Sequence, residues 1–146
     1  MLERGLQMLN FNDYFKDEYQ FSLKDVSYSK IECEQDLSEY ELKISDTINA
    51  ELKEDLLYVT FTRDVYFEPT SMFNLKVVFD IILHFNEESK EKATGINWSQ
   101  TLFENPNLYL GNIVSRTSHL IAEITASFGQ QPLKTPPKPI AEDETI

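Results

Sequence analysis

Two histidines and one cysteine are the side chains of this sequence that could support nucleophilic or general-base chemistry. His84 lies in a segment of alternating apolar residues, His119 lies beside the apolar stripe of a later helical pattern, and Cys33 ends an earlier alternating segment. A cysteine nucleophile needs a base within hydrogen-bond reach, and no spacing here places Cys33 beside either histidine. The patterns favour packing or surface roles for all three, with a Cys–His pair left open as the alternative.

An acidic cluster between two of the alternating segments could attract a divalent cation or a basic partner. Its members are Glu32, Glu34, Asp36, Glu39 and Glu41. A calcium loop needs alternating oxygen ligands around a turn glycine, and this run lacks that arrangement. The four glycines of the chain are isolated, so no phosphate-binding loop is present. We therefore predict no catalytic residue, no metal and no cofactor, and a basic protein segment suits the cluster better than a cation.

The charge balance restricts the classes of partner. The 146 residues carry 25 Asp and Glu against 13 Lys and Arg, for a net charge of -12. Affinity for nucleic acid comes mostly from clustered Lys and Arg, so a nucleic-acid partner is excluded. No apolar run approaches the roughly 20 residues of a membrane span, which predicts no membrane insertion. With one cysteine and no apolar leader, the sequence indicates a cytoplasmic protein.

The elements that would position these residues begin with four segments of period-two alternation, which predict strands over 21–33, 40–48, 57–67 and 73–85. The alternation of the first segment changes phase between Leu23 and Val26, which indicates a bulge. Turn residues over 68–71 predict a hairpin between the last two strands. Short connections between successive strands favour an antiparallel meander.

Helical periodicity follows, with apolar residues at three- and four-residue intervals from Leu110 to Phe128. Asn105 is a candidate N-cap for this long helix, and Gly129 is placed to end it. A short helix is predicted over 99–104. The fold class is therefore α+β: a four-stranded antiparallel sheet, a crossover, a short helix, and a long C-terminal helix packed on one sheet face.

One domain over residues 1–133 is expected, with a weakly structured segment at 1–18. Residues 134–146 are rich in proline and then acidic, which predicts a flexible tail. Apolar residues beyond the needs of one small core suggest either extra internal packing or a groove or subunit interface. The candidates are Tyr58, Val78 and Ile82 on one sheet face, and Trp98, Leu102 and Phe103 around the crossover.

The order of these elements resembles the SecB-type export chaperones. Segments 42–45, 58–61 and 79–82 resemble strands two to four of that family, and 107–114 continuing through 126–137 resembles its final helix and its exit through glycine and proline-leucine. Three features depart from the family pattern. Residues 94–99 replace its Gly-rich crossover, and Tyr109-Leu110-Gly111 replaces the aromatic-proline step that opens its last helix. The tail ends in acidic residues instead of the basic, cysteine-containing tail of some members.

The resemblance implies a homotetramer, built as a dimer of dimers, that holds unfolded polypeptide clients on apolar grooves without ATP. The six candidates named above would be the groove contacts. An export motor or an antitoxin-type protein would be a further partner. Two alternatives remain open: a SecB-fold adaptor with one specific partner, and a small enzyme or ligand-binding domain with a closed pocket that gathers His84 or His119 with carboxylates.

Overall fold

The computed structural model describes residues 13–32, 39–105, 110–129, 131–140 and 144–145. It confirms an α+β fold with four long antiparallel strands followed by helices. The elements are β1 (Phe15–Lys30), β2 (Glu41–Lys53), β3 (Leu56–Glu68), β4 (Phe73–Phe85), α1 (Lys90–Ala93), α2 (Trp98–Glu104), α3 (Leu110–Ala126) and β5 (Glu144–Thr145).

Strands β2, β3 and β4 form two successive hairpins, as their alternating patterns predict. The first hairpin turns through two residues, Glu54 and Asp55, and Glu54 has a positive φ of 55°. Positive φ is typical of tight two-residue hairpin loops, because such turns match the twist of the flanking strands. The second hairpin turns at 69–72, where the Glu68–Pro69 bond is cis.

The prediction of a meander is wrong for the first strand. The strand order is β1-β4-β3-β2-β5, so β1 pairs with β4 and not with its neighbour in sequence. Aromatic contacts accompany this pairing: Phe15 lies 4.9 Å from Phe85, and Phe21 lies 6.5 Å from Phe79, between ring centroids. The side chains of β1 extend the apolar face of β4. Strand β2 cannot pair with β4, because β3 lies between β2 and β4.

Two local expectations for β1 have different outcomes. The bulge is confirmed, because the pairing register with β4 shifts between Leu23 and Asp25. The weakly structured segment at 1–18 is wrong for its last residues, since β1 begins at Phe15 and that side chain is buried. Residues 1–12 of that segment, and Cys33, lie outside the described residues.

The core lies between one face of the sheet and the helices, as predicted. The buried sheet residues of this face include Ile44, Ile48, Leu57, Val59, Phe61, Val65, Leu75, Val77, Phe79, Ile81 and Leu83. Helix α3 contributes Ile113, Val114 and Ile121. Its two buried threonines donate their hydroxyls to carbonyls one turn earlier, Thr117 to Ile113 and Thr125 to Ile121, both at 2.8 Å. The buried hydroxyls of Thr117 and Thr125 therefore both have a hydrogen-bond partner.

Helix ends are only partly as expected. Gly129 has a φ of +85° just after α3, which agrees with its predicted role at the end of the helix. Asn105 closes α2: its backbone N–H and its side-chain amide both donate to the carbonyl of Thr101, at 3.0 and 2.9 Å. Its predicted role as the N-cap of α3 depends on residues 106–109, which lie outside the described residues. The N-cap of α2 is Asn97, whose side chain accepts a hydrogen bond from the N–H of Gln100.

The described part of the C-terminal tail is packed against the sheet, so the prediction of a flexible tail is wrong there. We call residues 131–140 and 144–145 the C-terminal strap. Thr135 and Ile140 are buried, and β5 pairs with β2 at Lys43 and Ile44. Proline content correctly indicates an extended backbone. It carries no information about the carbonyl-binding groups and the apolar surface that hold this segment in place.

Candidate peptide-binding surfaces

Two of the six candidate groove residues belong to the core. Trp98 is 3% exposed and Leu102 is 0% exposed. The indole Nε1 of Trp98 donates to the carbonyl of Ala93 at 3.1 Å, and its ring contacts Tyr14, Phe15 and Phe85 at centroid distances of 5.4, 5.4 and 5.5 Å. A client could reach neither side chain without opening the domain. The placement of Trp98 and Leu102 on an exposed groove is therefore wrong.

Three candidates lie on the sheet face opposite the helices, which we call the outer face. Tyr58 is 37% exposed and lies directly across from Ile82 in the β3–β4 register. Val78 is buried and lies across from Thr62. Polar groups lie between these apolar side chains: the hydroxyl of Thr60 donates to Asp80 at 3.1 Å. The outer face thus joins Tyr58 and Ile82 in one small apolar spot.

Phe103 is half-buried and packs against the core from α2, so it does not share the surface of Tyr58 and Ile82. The structure therefore does not gather the six candidates into one groove. Three of them remain partly accessible, Tyr58 and Ile82 on the outer face and Phe103 at the margin of the core, whereas Val78 is buried and its placement on an exposed groove is wrong.

The histidines do not form a closed site. His84 lines an open depression of about 270 Å³ together with Lys16, Glu54, Asp55 and Glu87, and the two glutamates are exposed. His119 is exposed on α3, beside the strap. Within the described ranges, no group of three or more His, Cys, Asp or Glu side chains could hold a metal ion. Two members of the acidic cluster, Glu34 and Asp36, lie outside those ranges.

Three exposed apolar side chains lie on β1, which forms one edge of the sheet among the described residues. Leu23, Val26 and Tyr28 are 48%, 38% and 43% exposed, and we call them the β1 edge surface. Tyr28 lies 4.6 Å from Phe128 of the α3 end, between ring centroids, so the surface continues onto that helix end. Exposed apolar side chains on an edge strand are typical of sites where another chain pairs.

A buried ion pair lies on the helix-covered face of the sheet, on β2 and β3, beneath the strap. Asp46 and Arg63 face each other in the β2–β3 register. The guanidinium Nε donates to Asp46 Oδ1 at 2.8 Å, and Nη2 donates to Oδ2 at 2.7 Å, while Arg63 is fully buried. This is a two-point arginine–carboxylate pair, which is geometrically specific.

The remaining donors of Arg63 point at α3 and the strap. The two hydrogens of Nη1 are shared among three acceptors: the hydroxyls of Ser118 and Thr135, each at 3.0 Å, and the carbonyl of Pro136 at 2.7 Å. Nη2 also donates to the carbonyl of Lys138 at 2.9 Å. The sequence shows one trace of this site, because Arg63 interrupts an otherwise apolar strand face. A charged residue at such a position requires buried acceptors.

Asp64 provides a pH-dependent prediction. Burial raises the pKa of Asp64; the charge of Lys76, 3.9 Å away, opposes this shift, and the charge of Asp46 adds to it. The folded state then binds the proton more tightly than the unfolded chain does. Ionised Asp64 therefore weakens the fold at pH values above its raised pKa, and this penalty disappears as the pH falls below the ordinary value of 3.8.

Replacing Asp64 with Asn is expected to raise the unfolding temperature at pH 7 and to leave it nearly unchanged at pH 3. Thermal unfolding of both chains at the two pH values measures this difference. A variant that is less stable than the parent at pH 7 would mean that the attraction of Lys76 outweighs the cost of burial.

Comparison with known proteins supports the fold. No family model matches this sequence, and no curated protein matches it. Among solved structures, the chain is similar to the SecB-like chaperone Rv1957 of Mycobacterium tuberculosis, solved in complex with a ChAD peptide from the Rv1956 HigA1 antitoxin. The TM-score is 0.59 at 6% sequence identity, over 81% of this chain and 89% of the other. The protein therefore has a SecB-like fold. Within the described ranges, no helix combines the length and the apolar character of a membrane span.

Proposed function

We propose that this protein is an ATP-independent SecB-like chaperone of the cytoplasm, which binds unfolded or aggregation-prone polypeptides as a homotetramer and catalyses no reaction. The observation that carries the proposal is the β1 edge surface on a SecB-like fold. Around the exposed side chains of Leu23, Val26 and Tyr28, the edge strand β1 offers both backbone hydrogen-bonding groups and apolar area to another chain.

In this proposal the β1 edge surface joins two copies of the chain. Strand pairing between two copies of an edge continues the sheet and buries the exposed apolar side chains of both. The outer-face spot at Tyr58 and Ile82 stays accessible and contacts clients. The net charge of -12 discourages association of the oligomers and attracts basic client segments.

The nature of the client separates a general holdase from a dedicated chaperone. The structural neighbour was solved with an antitoxin peptide, which supports an antitoxin-type client here as one option beside clients of an export motor. The alternative function is an adaptor of the same fold with one specific partner. A holdase suppresses aggregation of several unrelated unfolded proteins, whereas an adaptor suppresses none of them.

The first experiment combines light scattering of the purified chain with suppression of client aggregation on the same sample. We expect a tetramer that suppresses aggregation at a near-stoichiometric ratio. The double substitution Leu23→Lys and Val26→Lys should lower the measured mass, because it places charges at the proposed junction. A monomeric or dimeric parent chain without suppression would refute the holdase proposal.

Substitution of the outer-face spot tests client contact separately. Tyr58→Ser together with Ile82→Ser is expected to weaken client affinity about tenfold, since it removes roughly 50–60 Å² of apolar contact at about 25 cal/mol per Å². The measured mass should not change. Thr47→Ser on the same face is the control, because Thr47 is exposed and the change removes only a methyl group. Unchanged affinity in the double variant would exclude this spot as a client contact.

A further inference from the structure

We propose that Arg63 and Asp46 form a binding site for an extended apolar peptide, which the C-terminal strap fills in the free protein and which a client segment occupies when the strap leaves. The identity of the competing segment as a client rests on the proposed function. The peptide site itself is argued from the contacts of the strap alone.

The strap is held mainly through its backbone. Arg63 donates to the carbonyls of Pro136 and Lys138. Asp46 accepts from the N–H of Ile140 through Oδ2 at 2.8 Å, and its own N–H donates to the Ile140 carbonyl at 3.0 Å. Every peptide has these backbone groups. Binding that adds an extended segment to a sheet edge works in this way and takes its specificity from a few side chains.

Two side chains of the strap supply that specificity. Ile140 is 2% exposed in the core cluster, and Thr135 is buried with its hydroxyl bonded to Arg63. The prolines at 136, 137 and 139 have no N–H. Before Ile140, the backbone groups that Arg63 binds are the carbonyls of Pro136 and Lys138. The ligand chemistry is therefore an extended segment with an aliphatic residue at the position of Ile140 and no required N–H in the preceding four residues.

Release of the strap leaves an acceptable site behind. Arg63 keeps its two bonds to Asp46 when the strap carbonyls depart, so neither charge becomes an isolated buried ion, and water can replace the lost acceptors. The strand pairing of the strap is short, because β5 pairs with β2 at two residues, and the main contacts to break are the bonds to Arg63 and Asp46 and the burial of Ile140.

A fluorescent peptide of residues 135–146 tests the site in the full-length chain. Ile140→Asp in the protein should release its own strap and admit the unaltered peptide. We expect at least about tenfold tighter binding to this variant than to the parent, since the attached strap competes at the high effective concentration of a linked segment. A peptide that itself carries Ile140→Asp should bind neither chain. Equal binding of the unaltered peptide to parent and variant, or binding to neither, would overturn the proposal.

Met72→Asp is the matched control, because it adds the same charge at an exposed apolar residue away from the strap and should bind peptide as weakly as the parent. If Ile140→Asp lacks the circular dichroism spectrum of the parent, hydrogen exchange on the parent chain decides. Excess peptide should then accelerate exchange of the amides over 131–146 by displacing them. Unchanged exchange there would count against the site.

Reduced and carboxymethylated lactalbumin, a permanently unfolded protein, serves as the client probe. It should compete with the fluorescent peptide on the Ile140→Asp chain and should bind that chain more tightly than it binds the parent. Peptide binding without lactalbumin competition would keep the peptide site but refute its use by clients. Lactalbumin binding that is equal in parent and variant would keep the chaperone proposal and refute the role of the strap.

Discussion

Replacing Arg63 with Met is expected to lower the free energy of unfolding by about 3–5 kcal/mol, because the Asp46 carboxylate would remain buried without its cation. The strap carbonyls of Pro136 and Lys138 would lose their donor in the same step. Urea denaturation followed by circular dichroism measures the change. The effect should be among the largest of any single substitution in this chain, since one side chain connects β2, β3, α3 and the strap.

The double variant Arg63→Met with Asp46→Leu is the control for this prediction. It removes both charges, so it should recover part of the lost stability, whereas Arg63→Lys should recover little because an ammonium lacks the planar two-point geometry. A cost below about 1 kcal/mol for Arg63→Met would place the pair in the class of solvent-screened ion pairs and contradict its burial.

Trp98→Ala is the second prediction of large effect. The indole fills the space between α2 and the rings of Tyr14, Phe15 and Phe85, and its N–H satisfies the Ala93 carbonyl. Truncation of a buried aromatic residue typically costs about 3–5 kcal/mol, so the variant should unfold at much lower urea concentration. Tyr58→Ala on the outer face is the matched aromatic control and should cost less than half as much.

The same pair of variants separates packing from client contact. If Trp98→Ala kept its stability but lost client capture, the side chain would act on clients after all, as the resemblance implies. We expect the reverse: a large loss of stability for Trp98→Ala, and a loss of client affinity with a much smaller loss of stability for Tyr58→Ala.

Local patterns carried most of the secondary structure. The alternation from Phe73 to Phe85 predicted β4 to the residue, and the phase change after Leu23 predicted the bulge in β1. Both follow from side-chain periodicity, which is a property of neighbouring residues. The pairing of β1 with β4 depends on which apolar faces meet across the sheet. No pattern within β1 alone contains that information.

The candidate site was harder to predict for a related reason. An apolar residue near a connection, such as Trp98 or Leu102, has the same sequence signature whether it lines a groove or fills the core. The sequence indicated one member of the Arg63–Asp46 pair, because Arg63 interrupts an apolar strand face. Asp46 could be identified as its partner only from the β2–β3 register. The hydrogen bond of Arg63 to the Lys138 carbonyl could be identified only from the path of the strap.

The two edges of the sheet differ in what they leave to other molecules. On β2, the outward N–H of Asp46 is bonded to the strap, and that of Ala50 donates to the hydroxyl of Ser99 at 2.9 Å. On β1, the outward edge faces no other strand within the described residues. While the strap stays in place, two copies that pair through β1 as proposed would close a symmetric unit, because the strap and Ser99 occupy positions along both outer β2 edges.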